Sequence, residues 1–293
     1  MKPITSVILR IVFFCTSIFL STVSSFAQSK NLSEHSIKSS FNNKTYVMYV
    51  SLPKGYSKLD TLHYPVLYVL DGKYSYQSFN SIREVLDLAR EIKDIIIVAI
   101  ESEGISDADW FASRYADFTP SSLLQADTQW SKMMNIPEGK LKSGGAELFL
   151  NTLQKNLIPF IDRAYKTTNN RGISGHSLGG LFTGYCLIKK PELFKSYGIN
   201  SPSFWWNNNE MVAIEDSSAK QNQAISANVF FSAGALEGDM MIGPMNAFIN
   251  SLRSYSYKGL QITSHVFEDE THVSVVAACS SRTLKVLYGA NVN

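Results

Sequence analysis

Cysteine is scarce in this sequence. Only Cys15, Cys186 and Cys279 occur in 293 residues, too few for a disulfide-stapled scaffold and without the spacing of a metal site. Cys186 and Cys279 fall in segments that read as helices; an oxidising compartment would let them pair, but two buried thiols are the expectation. An excess of either charge is missing too, the formal net charge being +2. Such a chain offers no global field for nucleic acid or an anionic membrane surface. No apolar run is long enough for a spanning helix, since the longest, Ile8 to Leu20, falls short of the roughly 20 residues needed. Internal repeats, low-complexity tracts and linkers are absent after residue 40. What is present is a chain 45% hydrophobic and 18% charged, enough apolar material for one large globular core.

The amino terminus is set apart from that core. Lys2 and Arg10 flank the apolar stretch, and Ser25-Phe26-Ala27 places small residues at both positions that matter before a cut. Residues 1–27 therefore read as a secretory signal peptide, with the mature chain starting at Gln28. Its removal takes two basic residues and no acidic one, leaving the two signs in balance. An exported protein, periplasmic or extracellular and with no stable membrane insertion after cleavage, is the expectation.

From residue 28 to 293 the pattern predicts a single domain in which strands alternate with helices. Thr45–Leu52 alternates as a half-buried strand does; Pro65–Leu70 and Ile95–Ile100 are short continuous apolar runs of the kind buried on both faces. Further strands are expected at Arg171–Ser174, Ser196–Asn200, Asn228–Ala233 and Gln261–Phe267. Helical spacing marks Gln77–Ile92, Glu147–Tyr165 (interrupted at Pro159), Leu178–Lys190, Met241–Tyr255 and Val273–Tyr288. Residues 101–144 lose periodicity and collect Gly, Pro, Ser and Asp, which suggests an insertion or cap over a site. The alternation predicts an α/β fold, a mostly parallel sheet covered by helices on both faces.

Gly175-His176-Ser177-Leu178-Gly179 fits the Gly-x-Ser-x-Gly nucleophile elbow. Five residues alone are a weak signal, but here a strand precedes them and a helix follows, the context in which a serine is exposed on a sharp turn. A serine needs a base, and the base needs a carboxylate, in the chain order Ser, Asp/Glu, His. Of the five histidines, His35 lies near the mature terminus, His63 precedes a buried strand, and His265 falls inside a strand pattern. His176 adjoins the serine, and its side chain should diverge from it. His272 alone sits in a turn after the last strand, where a base can reach the site. Glu237 and Asp239 both follow the strand Asn228–Ala233; Glu237 is the first choice and Asp239 the second. Glu215 and Asp216 lie farther from any strand end and read as surface residues. For the oxyanion of the tetrahedral intermediate, the expected donors are the amides of Leu178 and Lys73, Gly72 letting the second backbone approach closely. Asp71 reads as a turn-stabilising carboxylate.

Several segments together resemble the putative-esterase family of α/β hydrolases, which includes enterochelin-esterase-like enzymes, esterase D, feruloyl esterases and mycolyltransferases. They are Tyr64–Gly72, Arg114–Pro120, Ile173–Gly180, Asn200–Trp206 and Glu270–His272, and they look closest to the periplasmic enterochelin-esterase-like branch. The resemblance implies an α/β-hydrolase fold, Ser177 as nucleophile, His272 as base, Glu237 as acid and Lys73 as an amide donor. Arg114 and Asp117 would meet a substrate carboxylate or pin the insertion by a local ion pair. Trp205 and Trp206 would wall the acyl or alcohol pocket, where they would suit aromatic acyl groups such as catecholates or ferulates or any other apolar ligand, or else pack in the core. Tyr74 completes the expected substrate-binding set. The function expected is a secreted serine carboxylesterase with a small-molecule ester substrate and neither metal nor organic cofactor. Acyl transfer by the same residues, or a non-catalytic binding role for the fold, are the alternatives. Oligomeric state cannot be read from the sequence.

Overall fold

Eight strands form one sheet in the order β1-β2-β4-β3-β5-β6-β7-β8. They are β1 (Leu32–Lys38), β2 (Thr45–Ser51), β3 (Tyr64–Val69), β4 (Ile96–Ser102), β5 (Thr167–His176), β6 (Ser196–Asn200), β7 (Asn228–Gly234) and β8 (Gln261–Phe267). The computed structural model describes residues 32–59, 61–102, 104, 106–221 and 224–290. The signal peptide expected over residues 1–27 lies outside them. From Ser33 onward the described residues form a compact unit.

Strand β2 pairs antiparallel with β4, and every pairing from β4 through β3, β5, β6 and β7 to β8 is parallel. The burial pattern explains this. In β3 and β4 nearly every side chain is buried, because helices cover both faces. At the far edge, β8 (QITSHVF) is largely exposed, and its Gln, Thr, Ser and His side chains suit a strand with one open side.

The helices are α1 (Gly72–Leu88), α2 (Asp107–Phe118), α3 (Leu124–Met133), α4 (Ala146–Thr152), α5 (Ile158–Ala164), α6 (Leu178–Lys189), α7 (Trp206–Lys220), α8 (Asp239–Ser254) and α9 (Val275–Tyr288). A π-helical turn, Leu153–Leu157, joins α4 to α5 just before Pro159, absorbing the amide that proline lacks. Helix α6 is buried along almost its whole length, which makes it the central helix of the larger core. Among the described residues no helix is long and apolar enough to cross a membrane.

The structure corrects two expectations and adds one strand. The insertion is not aperiodic: it holds α2 and α3, α2 opening on a capping box between Ser106 and Asp109. The buried face of α2 includes Arg114 and Asp117, and those buried charges hide its apolar stripe. Glu215 is fully buried rather than superficial. It accepts hydrogen bonds from Ser251 and, at 2.8 Å, from the Tyr257 hydroxyl, so α8 and the segment after it anchor α7. Asp216, its neighbour, is partly exposed and pairs with Lys220 at 2.5 Å. Strand β1 was not expected, because LSEHSIK buries no side chain fully.

The strand order reverses about β3, from which the chain goes to β4 on one side and β5 on the other. Such a switch point opens a crevice at the carboxyl ends of the strands. Ser177, Glu237 and His272 follow β5, β7 and β8 at that rim.

Candidate active site

Ser177 is the single residue between β5 and α6. It adopts φ 60° and ψ −120°, a conformation a serine holds only when its surroundings enforce it. The enforcement comes from the glycines. A Cβ on Gly175 would lie 2.3 Å from the Gly179 carbonyl oxygen, so a larger residue would force strand and helix apart. The turn presents the Ser177 hydroxyl at the amino end of α6, where the first amide, that of Leu178, has no acceptor within the helix. The positive end of the helix dipole points the same way.

Strands β7 and β8 end in register, Gly234 opposite Phe267, so the residues just beyond them emerge side by side. Glu237 closes a 3-10 turn, Ala235–Glu237. Its side chain is fully buried, with Oε2 2.5 Å from His272 Nδ1. Oε1 accepts from the Gly234 amide at 2.6 Å and from the Ser201 hydroxyl at 2.7 Å. Burial pushes this carboxyl up, but the hydrogen bonds from His272, Gly234 and Ser201 outweigh it and hold the group below its ordinary range. An ionised carboxylate only accepts, so Nδ1 carries the imidazole proton. His272 Nε2, 3.0 Å from Ser177 Oγ, is left free to accept the serine proton. Asp239, the second choice, is exposed in the first turn of α8 and is not brought to the histidine.

Two neighbours of this trio were not anticipated. His176 packs its ring 4.6 Å from that of His272, so it forms part of the wall beside the imidazole. Burial, with a smaller contribution from His272, pushes its pKa down to about 3, which keeps it neutral. Ser203 is 1% exposed. Its amide donates to the Ser177 carbonyl at 3.1 Å, and its Oγ lies 3.4 Å from Ser177 Oγ. The sequence signal was its place in the Asn200–Trp206 segment directly after β6.

The remaining expected residues divide. The Lys73 amide does not face an open oxyanion position, because it donates to Glu101 Oε2 at 2.8 Å. Glu101, the last residue but one of β4, lies beside that turn, and burial raises its pKa to about 7. Arg114 holds Asp71 through two bonds, Nε to Oδ1 at 2.7 Å and Nη2 to Oδ2 at 2.9 Å. Asp117 binds Lys44 at 2.6 Å and the Tyr46 hydroxyl at 2.8 Å. Each therefore pins α2 to the sheet by a separate pair rather than pairing with the other. Trp206 is 1% exposed, edge-on to Tyr115, with its indole N–H donating to Ser121 at 3.2 Å; it is a core residue fastening the insertion. Trp205 stacks on Trp130 and donates to Met241 Sδ at 3.1 Å. Neither tryptophan lines the cavity beside His272. That cavity, about 570 Å³, has Tyr74, Trp110, Arg114, His176 and His272 in its walls, and Trp110 is the aromatic residue that the sequence reading overlooked. Cys186 and Cys279 are buried free thiols. Among the described residues no group of His, Cys, Asp and Glu is arranged to hold a metal ion.

The sequence model of the family described as "Putative esterase" matches residues 39–273, a span that takes in Ser177, Glu237 and His272. The chain belongs to this family. The esterase is 31% identical over 254 residues to the ferri-bacillibactin esterase BesA of Bacillus subtilis (strain 168), across 83% of this chain and 84% of the relative. Among solved structures it is similar to the BES protein from Bacillus cereus, with a TM-score of 0.76 and 29% identity over 90% of this chain and 98% of the other. It is also similar to an IroE-like serine hydrolase from Shewanella oneidensis, with a TM-score of 0.75 and 23% identity over 88% and 80% of the two chains. The architecture is the α/β-hydrolase fold, and the protein is a carboxylic-ester hydrolase.

Proposed function

We propose that the chain is an exported serine esterase acting on siderophore-type esters through Ser177, His272 and Glu237. The observation that carries this reading is the continuous run from Glu237 Oε2 to His272 Nδ1 (2.5 Å) and from His272 Nε2 to Ser177 Oγ (3.0 Å). Ser177 attacks the ester carbonyl while His272 takes its proton. Glu237 holds the imidazole in the tautomer that can accept it and stabilises the imidazolium that forms. The Leu178 amide faces the developing oxyanion, and the Ser203 hydroxyl is placed to add a side-chain donor. His272 then hands its proton to the departing alcohol, and water attacks the acyl-enzyme. The His272 side chain is 40% exposed, which leaves water a path to it.

Siderophore esters are the favoured substrates because the relative at 31% identity is a ferri-bacillibactin esterase. The rim adds a chemical argument. Tyr74 and Trp110 meet edge to face there, 5.0 Å apart, which suits an aromatic substrate; the nearby cations are already paired, Lys73 with Asp107 and Arg114 with Asp71. The test is Ser177→Ala assayed on catecholate siderophore esters, with a fluorophosphonate probe on the unaltered protein. An adduct at Ser177 and a loss of kcat of about 10⁴-fold or more are expected. Retention of most turnover by the variant would end this reading.

A further inference from the structure

The cavity beside His272 is an interhelical cleft, and its position relative to the reacting atoms says which half of the ester it takes. Phe79 of α1 faces Val276 and Cys279 of α9, one helical turn apart, over a floor that includes Leu70 and Ser174. His272 and His176 form one wall, while Tyr74 and Trp110 stand at the rim, edge to face with centroids 5.0 Å apart. Ser177 and Leu178 are not part of the lining. The cleft borders the base and the β3 turn, with Leu70, Asp71, Gly175 and His176 also in its walls.

We infer that this cleft seats the leaving alcohol of the ester, and that it selects alcohols carrying an aromatic arm. The inference rests on the serine-esterase reading above. As general acid, His272 Nε2 must come within hydrogen-bond distance of the departing oxygen. The substituent on that oxygen then extends past the imidazole, into the space that the imidazole itself bounds. The acyl group, whose carbonyl oxygen turns toward the Leu178 amide, lies on the other side of Ser177. The cleft volume of about 570 Å³ is within the range of sites for drug-sized ligands. Five of its lining side chains are rings: Phe79, Tyr74, Trp110, His176 and His272, which suits a flat group. Ser75 Oγ, on a residue of the same lining, is buried with no hydrogen-bond partner among the described residues. A buried hydroxyl without a partner is uncommon, and a polar substituent on the arm would supply one.

Two esters of similar size separate the halves: 2-naphthylmethyl acetate carries its rings on the alcohol, and methyl 2-naphthoate carries them on the acyl group. Val276→Trp fills the cleft from α9. The expected result is a fall of at least tenfold in the ratio of kcat/KM for the acetate to kcat/KM for the naphthoate. An unchanged ratio, or a rise, overturns the inference. Should that variant not fold, product inhibition of the unaltered protein decides: 2-naphthylmethanol should inhibit more strongly than 2-naphthoate, and the reverse order overturns the assignment. Hydrolysis of both esters by Ser177→Ala would instead sink the serine mechanism, so the two failures are distinguishable.

Discussion

Glu237 shows how much a single side chain can depend on its neighbours. Its carboxylate is fully out of solvent, a position that would drive it to protonate if three hydrogen bonds did not hold the charge. Glu237→Gln keeps the shape but places an amide against Nδ1, favouring the tautomer that cannot accept from Ser177. The expected outcome is a fall in kcat of roughly 10³–10⁴-fold with little change in KM, read from steady-state kinetics. Because the Glu237 pKa is held below the ordinary carboxylate range, its carboxylate should stay ionised across the acid limb of kcat/KM, and that limb should not report its protonation. Ser203→Ala removes a hydroxyl whose one described partner is Ser177 Oγ. A drop in kcat of at least about tenfold is expected, with Tm nearly unchanged; unaltered turnover would mean that the hydroxyl only fills space. At this scale the sequence was informative wherever chain order and strand ends constrain a residue, as with 177, 237 and 272. It was uninformative for Lys73, since nothing local signals that Glu101, 28 residues on, already occupies the amide.

Among the elements, α2 has the most unusual attachment. It is tied to the sheet by charge: Arg114 to Asp71 on the β3 turn, and Asp117 to Lys44 and Tyr46 on and beside β2. Arg114 and Asp71 are 9% and 14% exposed, so removing the guanidinium leaves a mostly buried carboxylate without its partner. Arg114→Ala should cost up to about 3 kcal/mol in urea unfolding. Adding Asp71→Asn should recover part of it, giving a double-mutant cycle far from additive; additive losses would show that the pair contributes little. Since Trp110 and Arg114 are on one face of α2, one turn apart, a loosened helix should raise KM more than it lowers kcat. The same charges explain why α2 escaped the periodicity reading. A helix that buries Arg114, Tyr115, Asp117 and Phe118 has no clean apolar stripe, whereas β3 and β4, buried on both faces, announce themselves as apolar runs. Strand β1 hides for the opposite reason, being a polar edge strand with no fully buried side chain.

For the molecule as a whole, two buried groups titrate in opposite senses, and their sum shapes stability against pH. Glu101 has its pKa raised to about 7, mainly by burial. Between its unfolded value near 4.5 and 7 the unfolded chain has released a proton that the folded one retains, so stability falls as pH rises. His176 has its pKa lowered to about 3, again mainly by burial. Between 3 and its unfolded value near 6.5 the unfolded chain carries a proton that the folded one excludes, so stability rises with pH. From about pH 4.5 to 6.5 the two slopes, each about 1.4 kcal/mol per pH unit at most, cancel. Other groups aside, the protein should therefore show a nearly level stability across that window. Glu101→Gln retains an oxygen acceptor for the Lys73 amide and removes that titration, leaving the His176 slope opposed only by smaller upward shifts such as those burial gives Asp87 and Asp117. Its unfolding free energy should climb by roughly 2–3 kcal/mol from pH 4.5 to 6.5, measured by urea denaturation at closely spaced pH values. A variant as level as the parent would show that the two ionisations are not opposed, and that some other group sets the acid stability of the fold.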